Sequence, residues 1–354
     1  MGINLNLAIV DISSKNHSSL VENWIRVAQY NEWKVSLYVS NDVLNNIDPA
    51  LVAAVKIYIF DGRIAKKFLD LIYEHYLSND IDKVVITSLQ SNYIAFLFSK
   101  LKRCDFLITI HNVNAWIGRC KKFPLKYFIK YIVRRLYLFS SSAVLVSSDN
   151  LVRALKNVGR VSKPICVMPF KMTNPHKNDT HRSLVVYPGM ISSNRKKYDV
   201  FYELCKNNPL VFFVLLGKAS SSEDQVIVDR FSNLKNVVTF NDYVPKVDFN
   251  YHIDNAAIIF GDLNVTYRSN EYDETYGETK DSGLSYFSVE NNTPLLVNSD
   301  FKNIENLAHA TFYYDTCEEA QMHLDSLMDK NLHVPSSSLA EYSLAVVATR
   351  FSKF

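Results

Sequence analysis

Residues 183–205 read SLVVYPGMISSNRKKYDVFYELC. The apolar run ending at Tyr187 has the length and β-branched content of a buried strand, and a Pro-Gly pair breaks it. VFYELC reads as part of a helix. Three consecutive cations, Arg195, Lys196 and Lys197, therefore stand where a strand hands over to a helix. Cations disfavour a helix start, whose unpaired amides already carry partial positive charge. The same place suits an anion: a diphosphate needs cations and free backbone amides, and a helix N-terminus supplies the amides. A solvated basic turn is the plainer reading of this segment taken alone.

The strand-then-helix pattern extends in both directions from here. Upstream, NLNLAIVD, WKVSLYVS, VKIYIFD, KVVITS, FLITIHN and AVLVSS are short Val- and Ile-rich runs, nearly continuous rather than alternating. Such runs are expected of parallel strands buried on both faces. Amphipathic stretches such as SLVENWIRVAQYNE and RIAKKFLDLIYEHYL lie between them, which implies right-handed crossovers over a parallel sheet. Downstream, LVFFVLLGK, NVVTFNDYV, AAIIFGDL, TPLLVNS and ATFYYD repeat the pattern.

At 354 residues the chain is long enough for two domains. The alternation stops over 171–183, KMTNPHKNDTHRS, which is polar and contains Asn-Pro, so it reads as a linker. The expected division is an α/β domain over 1–170, a second over 184–336, and a last helix in 337–354 packing back toward the first. Residues 1–170 carry 22 Lys and Arg against 12 Asp and Glu, net +10, which leaves net −7 to the rest of a chain of net charge +3. A basic half and an acidic half suggest two units with different partners, one of them an anionic surface.

Several function classes are disfavoured at once. The loop after the first strand, DISSKNHSS, has no glycine, so neither the dinucleotide fingerprint nor a Walker-type phosphate loop is present there. The five cysteines (Cys104, Cys120, Cys166, Cys205, Cys317) form no CxxC pair, and read as buried thiols in a reducing compartment. MGINLNLAIVDISS reads as a first core strand rather than a signal peptide, and no apolar run approaches the roughly 20 residues of a spanning helix. A soluble, cytoplasmic protein is expected.

Open α/β sheets bind ligands beyond the C-terminal ends of their strands, so the residues there are the site candidates. In YGETKDSGLSYFSVENNTP, residues 276–294, a helix opens at Ser282-Gly283, with Ser282 as a natural N-cap and Lys280 two residues ahead of it. This second helix N-terminus faces the same side as the Arg195 loop, and together they can hold one diphosphate from two directions. His111 and Asn112 follow the strand FLITI, and Asn16 and His17 follow the first strand, placed to meet an acceptor or a sugar. The stretch 117–141 carries Arg119, Lys121, Lys122, Lys126, Lys130, Arg134 and Arg135 and no acid, interleaved with aromatic and aliphatic residues. On a helix this is a basic amphipathic face suited to anionic lipid headgroups. Nucleic acid is disfavoured as a partner, because no nucleic-acid module accompanies the stretch and the other half is acidic.

The order of these features resembles the GT-B glycosyltransferases, in particular the large retaining, glycogen-synthase-like family of bacterial polysaccharide synthesis. FLITIHN looks like that family's strand ending in His, AVLVSSDNLVRALKNVG like its "vSe…l…G" segment and ICVMPF like its "vipnG" strand. SLVVYPGMISSNRKKYDVFYEL looks like its "vGRl…KG…li.A" element, and GETKDSGLSYFSVENNTPLLVN like the variant in which "KxSG" opens the donor-binding helix. The resemblance implies two Rossmann-like domains with parallel sheets facing a central cleft. Arg195 falls where the family has the Lys that contacts the donor diphosphate, while the family's Arg five residues earlier is Met190 here. Its two glutamates fall on Thr279 and Phe287, with Glu278 and Glu290 nearby but out of register.

The resemblance thus implies glycosyl transfer from a nucleotide-diphosphate sugar to a glycan or lipid-linked acceptor, with no metal and no further cofactor. Arg195, Lys280, Ser282 and Gly283 would hold the diphosphate. Gly189, Gly217, Lys218 and Tyr243, with Glu278, Thr279 and Glu290, would surround the nucleotide and sugar. His111 would be catalytic, and Asn16, His17 and Asn112 would lie on the acceptor side. Lys121, Lys122, Lys126, Lys130, Arg134 and Arg135 would face the membrane. A nucleotide-sugar epimerase and a non-catalytic partner subunit of the same fold are the alternatives.

Overall fold

A computed structural model of the chain describes residues 5–13, 18–89, 92–118, 125–158, 161–173, 182–269, 272–330 and 336–352. It divides into two compact units. Unit 1 is Met1–Lys171 together with Arg268–Glu274 and Leu344–Phe354, and unit 2 is Met172–Tyr267 together with Thr275–Ser343.

In unit 1, β1 (Asn6–Asp11), β2 (Lys34–Ser40), β3 (Lys56–Phe60), β4 (Lys83–Ser88), β5 (Phe106–Thr109), β6 (Ala143–Val146) and β7 (Ile165–Val167) form one sheet. Its order is β3-β2-β1-β4-β5-β6-β7, with every pair parallel. The helices between them are α1 (Ser18–Tyr30), α2 (Asn41–Leu44), α3 (Pro49–Val52), α4 (Ala65–Leu77), α5 (Tyr93–Phe98), α6 (Val113–Ile117), α7 (Leu125–Ser140) and α8 (Asp149–Asn157).

After β7 the chain forms β8 (Leu184–Pro188), β9 (Phe212–Leu216), β10 (Val237–Val238) and β11 (Ala256–Gly261), then the short pair β12 (Thr266–Arg268) and β13 (Asp273–Thr275), and in unit 2 again β14 (Leu295–Asn298) and β15 (Thr311–Tyr314). The main sheet runs β10-β9-β8-β11-β14-β15, all parallel. Helices α9 (Asp199–Asn207), α10 (Ser222–Ser232), α11 (Lys246–Asp254), α12 (Gly283–Asn291) and α13 (Cys317–Lys330) cover it, and α14 (Leu344–Phe351) ends the described chain.

The two sheets share one winding: the first strand lies inside, two strands are added on one side, and the rest on the other. The doubly wound α/β reading is therefore correct for both units. Burial explains the near-continuous apolar strands. In unit 2, Val185, Tyr187, Phe213, Leu215, Ile258, Phe260 and Leu296 enter one core, and Val186, Val214, Leu216, Ile259, Leu295 and Val297 enter another. Successive residues point to opposite faces, so a strand covered on both sides must be apolar at every position.

One segment departs from the expected division. Residues 268–274, read as part of the second domain, belong to unit 1. So does α14, whose Phe351 ring lies 4.7 Å from Trp24 of α1, while the Asn31 side chain donates to Ala348 O at 3.2 Å. Most of the expected linker, 174–181, lies outside the described residues. Of the cysteines, Cys104, Cys166, Cys205 and Cys317 are free thiols, the first and third of these buried, and Cys120 lies outside the described residues.

Candidate functional site

In each sheet the chain's connections diverge beside its first strand, between β1 and β4 in unit 1 and between β8 and β11 in unit 2. The crevice beyond the strand ends at that point is where open α/β sheets take their ligands.

In unit 2 this point is covered by the basic loop. β8 ends at Pro188, and Gly189 turns the chain at φ +93°, in the left-handed region that glycine tolerates. A Cβ on Gly217 would come within 2.5 Å of Gly189 O, so the loops after β8 and β9 touch because position 217 has no side chain. Ile191 N–H also donates to Lys218 O at 3.0 Å. Gly189, Gly217 and Lys218 are thus brought together, with Gly189 required by its backbone angle and Gly217 by packing.

The three cations take three directions. Lys196 is buried, and its Nζ donates to Pro188 O (2.8 Å) and Gly189 O (2.9 Å) while lying 4.7 Å from the Tyr187 ring. Burial, aided by the neighbouring Arg195 charge, pushes its pKa down to about 7. Lys197 N–H donates to Asp262 O at 2.8 Å, and its side chain is exposed. Arg195 is exposed, and its guanidinium donates to Tyr276 Oη at 2.8 Å. α9 opens only at Asp199, whose carboxylate suits the helix dipole and pairs with Arg230 at 2.9 Å. The sequence reading of three cations at a helix mouth is corrected accordingly: one serves the strand end, two remain at the surface, and the helix starts on an acid.

The Arg195–Tyr276 bond joins the basic loop to the second predicted element. Residues 275–280 form a tight turn in which the amides of Glu278, Thr279 and Lys280 all reach Thr275 O, and Gly277 N–H donates to Lys280 O. Gly277 has φ +79°, and a Cβ there would fall 1.5 Å from Lys302 O. It is the residue on which the turn depends, and the sequence reading passed over it. Thr279 Oγ1 accepts from Thr275 N–H at 2.8 Å, and Glu278 pairs with Lys302. Those contacts give both residues roles in holding the turn. Lys280 Nζ lies 5.4 Å from the Tyr267 ring.

The helix after the turn is capped as expected. The Ser282 hydroxyl accepts from Leu284 N–H at 3.3 Å, and Gly283 is exposed with open space at its Cβ position apart from Phe287 at 3.7 Å. Arg195, Lys280, Ser282 and Gly283 are therefore linked through Tyr276 and one turn. Glu290 sits eight residues after Ser282, roughly 12 Å along α12 at 1.5 Å per residue. Tyr243 is exposed in the segment between β10 and α11.

Unit 1 presents different chemistry at its strand ends. His111 follows β5, with Nε2 3.1 Å from Thr87 O and its ring stacked on Phe170 at 5.4 Å. The Thr87 hydroxyl donates to Asp11 Oδ2 at 2.7 Å, and Asp11 Oδ1 accepts from the Ser13 N–H (3.0 Å) and hydroxyl (2.5 Å). The fully buried Asp11 was missed by sequence reading, and its signal was its place as the last residue of the first strand. A small cavity beside this network is lined by Thr87, Ser88, Tyr93, Thr109, His111 and Trp116. Among the described residues, the buried Thr109 Oγ1 has no hydrogen-bond partner. Asn16 and His17 lie outside the described residues.

Asn112 is the N-cap of α6 but makes no side-chain capping bond. Glu274, fully buried, takes that place: its carboxylate accepts from Ala115 N–H (2.9 Å) and Asn114 N–H (3.3 Å), and Asn114 Nδ2 donates to Asp273 O at 2.8 Å. Free amides at a helix start are satisfied here by a residue 159 positions away in sequence.

The basic stretch is corrected most. Arg134 is buried, donates to Ala115 O at 2.5 Å, and lies 5.3 Å from the Tyr93 ring and 5.8 Å from the Trp116 ring. Arg135 donates to Ile117 O at 3.0 Å. Both serve the last carbonyls of α6 rather than an outward basic face. Lys130, on α7, is partly exposed; Lys121, Lys122 and the Lys126 side chain lie outside the described residues. Among the described residues, no group of three or more His, Cys, Asp or Glu is placed to hold a metal ion.

No family model matches the sequence, and no curated protein matches it. Solved structures do match in fold. A glycosyltransferase from Rickettsia africae is similar over 99% of this chain and 97% of its own, at TM-score 0.65 and 13% identity. Anabaena Alr3699/HepE, solved in complex with UDP and glucose, covers 99% of each chain at TM-score 0.64 and 10% identity. A UDP-GlcNAc 2-epimerase from Neisseria meningitidis, bound to UDP-GlcNAc, covers 98% of each at TM-score 0.56 and 12% identity. The two doubly wound units of this chain, with the strand orders given above, have the fold of GT-B glycosyltransferase structures.

Proposed function

We propose that the chain is a glycosyltransferase that moves a sugar from a nucleotide-diphosphate donor to a glycan or lipid-linked acceptor, with retention of anomeric configuration. The observation that carries this reading is the Arg195–Tyr276 bond at 2.8 Å, which ties a surface guanidinium to the turn bearing Lys280 just ahead of the α12 N-terminus. Arg195, Lys280 and the α12 N-terminus are then tied to one turn.

Breaking the anomeric bond leaves an oxocarbenium-like sugar and a diphosphate of growing negative charge. Fixed donors at the leaving group stabilise that charge more in the transition state than in the ground state. Arg195, Lys280 and the amides at Ser282-Gly283 supply this without a metal ion or a further cofactor. His111, held by Thr87 O and Phe170, positions the sugar or the acceptor hydroxyl, and the unsatisfied Thr109 Oγ1 is a ready partner for it. We place the activity in cell-surface polysaccharide synthesis, at the inner face of the cell membrane.

Calorimetric titration of UDP and GDP into wild type and Arg195→Ala tests the donor site. One nucleotide should bind, with a loss of about 1.5–3 kcal/mol in the variant, as for a charge-assisted hydrogen bond. Binding of neither by folded protein would sink the reading. The epimerase fold-match favours a second reading, a nucleotide-sugar epimerase. Incubation with UDP-GlcNAc and no acceptor decides between them, since an epimerase yields the epimeric UDP-sugar.

A further inference from the structure

Asp224 lies in the first turn of α10, where an acid suits the helix dipole. With Ser221 as N-cap it completes the pattern of a capping box, in which the acid ordinarily reaches back to the amide of the cap residue. Here the carboxylate is turned toward a different loop. Only 3% exposed, Asp224 accepts through Oδ1 from the Ser193 N–H (2.9 Å) and hydroxyl (2.7 Å). Through Oδ2 it accepts from the hydroxyls of Ser220 (2.5 Å) and Ser221 (3.3 Å). Hydrogen bonds to an ionised group are the strong ones, so α10 grips the basic loop after β8 by a buried charge.

The other flank of that loop is held as well. Asn264, just beyond β11, donates its N–H to Arg195 O at 2.9 Å and its side-chain amide to Ser193 O at 3.3 Å. Within the loop, the amides of Arg195 and Lys196 both reach Ser192 O, and Ser192 N–H donates to Tyr198 Oη at 2.8 Å. From Gly189 to Lys197, every amide but those of Met190 and Asn194 donates within unit 2. An anion therefore finds little of this backbone left to bind. What the loop presents is side chains, and the Arg195 guanidinium, two residues beyond Ser193, is the one joined to the turn before α12 through Tyr276.

We infer that Asp224 is a positioning residue for the donor diphosphate. It touches no ligand, and it acts by fixing the loop from which Arg195 extends. A donor fixed beforehand needs no reorganisation when charge develops on the leaving group. This role rests on the proposed function, which makes Arg195 a ligand of the diphosphate, and adds to it what keeps that side chain in place.

The test is a double-mutant cycle, read by calorimetry with whichever of UDP and GDP the wild type binds. Asp224→Ala should weaken binding about tenfold in the wild-type background and by no more than about twofold in Arg195→Ala, because it acts through that side chain. Equal losses in the two backgrounds are what a merely structural role would give, and they overturn the inference. So does unchanged affinity in folded Asp224→Ala. Should that variant not fold, Ser193→Ala removes one of the two Ser193 bonds at an exposed position, and should show the same pattern at about threefold. Hydrogen exchange without nucleotide reads the clamp by itself. Amides over 192–197 should exchange faster in Asp224→Ala while the strands of unit 2 stay protected, and unchanged exchange there overturns the inference whether or not a nucleotide binds. Wild type that binds neither nucleotide sinks the proposed function instead, so the two failures are told apart.

Discussion

The two units wind their sheets in the same order, yet the strand ends at the two switch points are chemical opposites. In unit 2 the strand end is held by a buried cation: Lys196 caps the carbonyls of Pro188 and Gly189, and Arg195 and Lys197 stay at the surface. In unit 1 it is held by a buried acid: Asp11 accepts from the hydroxyls of Ser13 and Thr87, and the Thr87 carbonyl meets His111 Nε2. One winding therefore carries basic side chains at one strand end and, at the other, hydroxyls gathered by an acid. The winding fixes where a ligand can sit, and the side chains at the strand ends fix its charge.

The difference can be broken hardest at Gly277. A Cβ there would meet Lys302 backbone oxygen at 1.5 Å, and φ +79° is itself unfavourable for alanine. Gly277→Ala should cost on the order of 3 kcal/mol in thermal or denaturant unfolding and abolish nucleotide binding, because the turn carrying Lys280 cannot close. A variant that keeps both stability and UDP affinity would remove the turn from the site.

Next comes Glu274, the buried side chain that caps α6 in unit 1. Glu274→Ala leaves the amides of Asn114 and Ala115 unpaired in a buried place, a loss of about 2 kcal/mol. Hydrogen exchange should show faster opening around 113–117 with nucleotide affinity unchanged. If UDP binding falls with it, the two sites are not independent.

The smallest expected effect, and the sharpest, is at Lys196. An unfolded lysine keeps its proton to about pH 10.5, whereas the folded one releases it near pH 7. Between those values the unfolded state binds more protons, so this residue's contribution to stability rises with pH across that window. Lys196→Met should cost about 1 kcal/mol at neutral pH through the unpaired carbonyls. It should also remove the rise, making unfolding free energy less steep between pH 7 and 10. Identical pH slopes in wild type and variant would mean that Lys196 is not the titrating group.

Much of this molecule was legible in its sequence because the governing physics is local. Parallel strands covered on both faces must be apolar at every position, so runs such as FFVLL and AAIIFG declare themselves. Ser282 declares a helix start because its hydroxyl reaches an amide two residues away. The switch-point rule then pointed to Arg195 and His111. What the sequence could not decide is where a side chain turns once distant elements pack. Lys196 and Arg134 read as surface charges, and both are buried, on carbonyls at the end of β8 and of α6. Glu274 reads as one acid among several, and it caps a helix 159 residues away. Asp11 reads as the end of a strand, and a threonine 76 residues on makes it the centre of a network. A buried charge must find partners, but the chain gives no local sign of which backbone groups will be left unpaired beside it. Only the tertiary packing settles that, and with it which cations remain for a ligand.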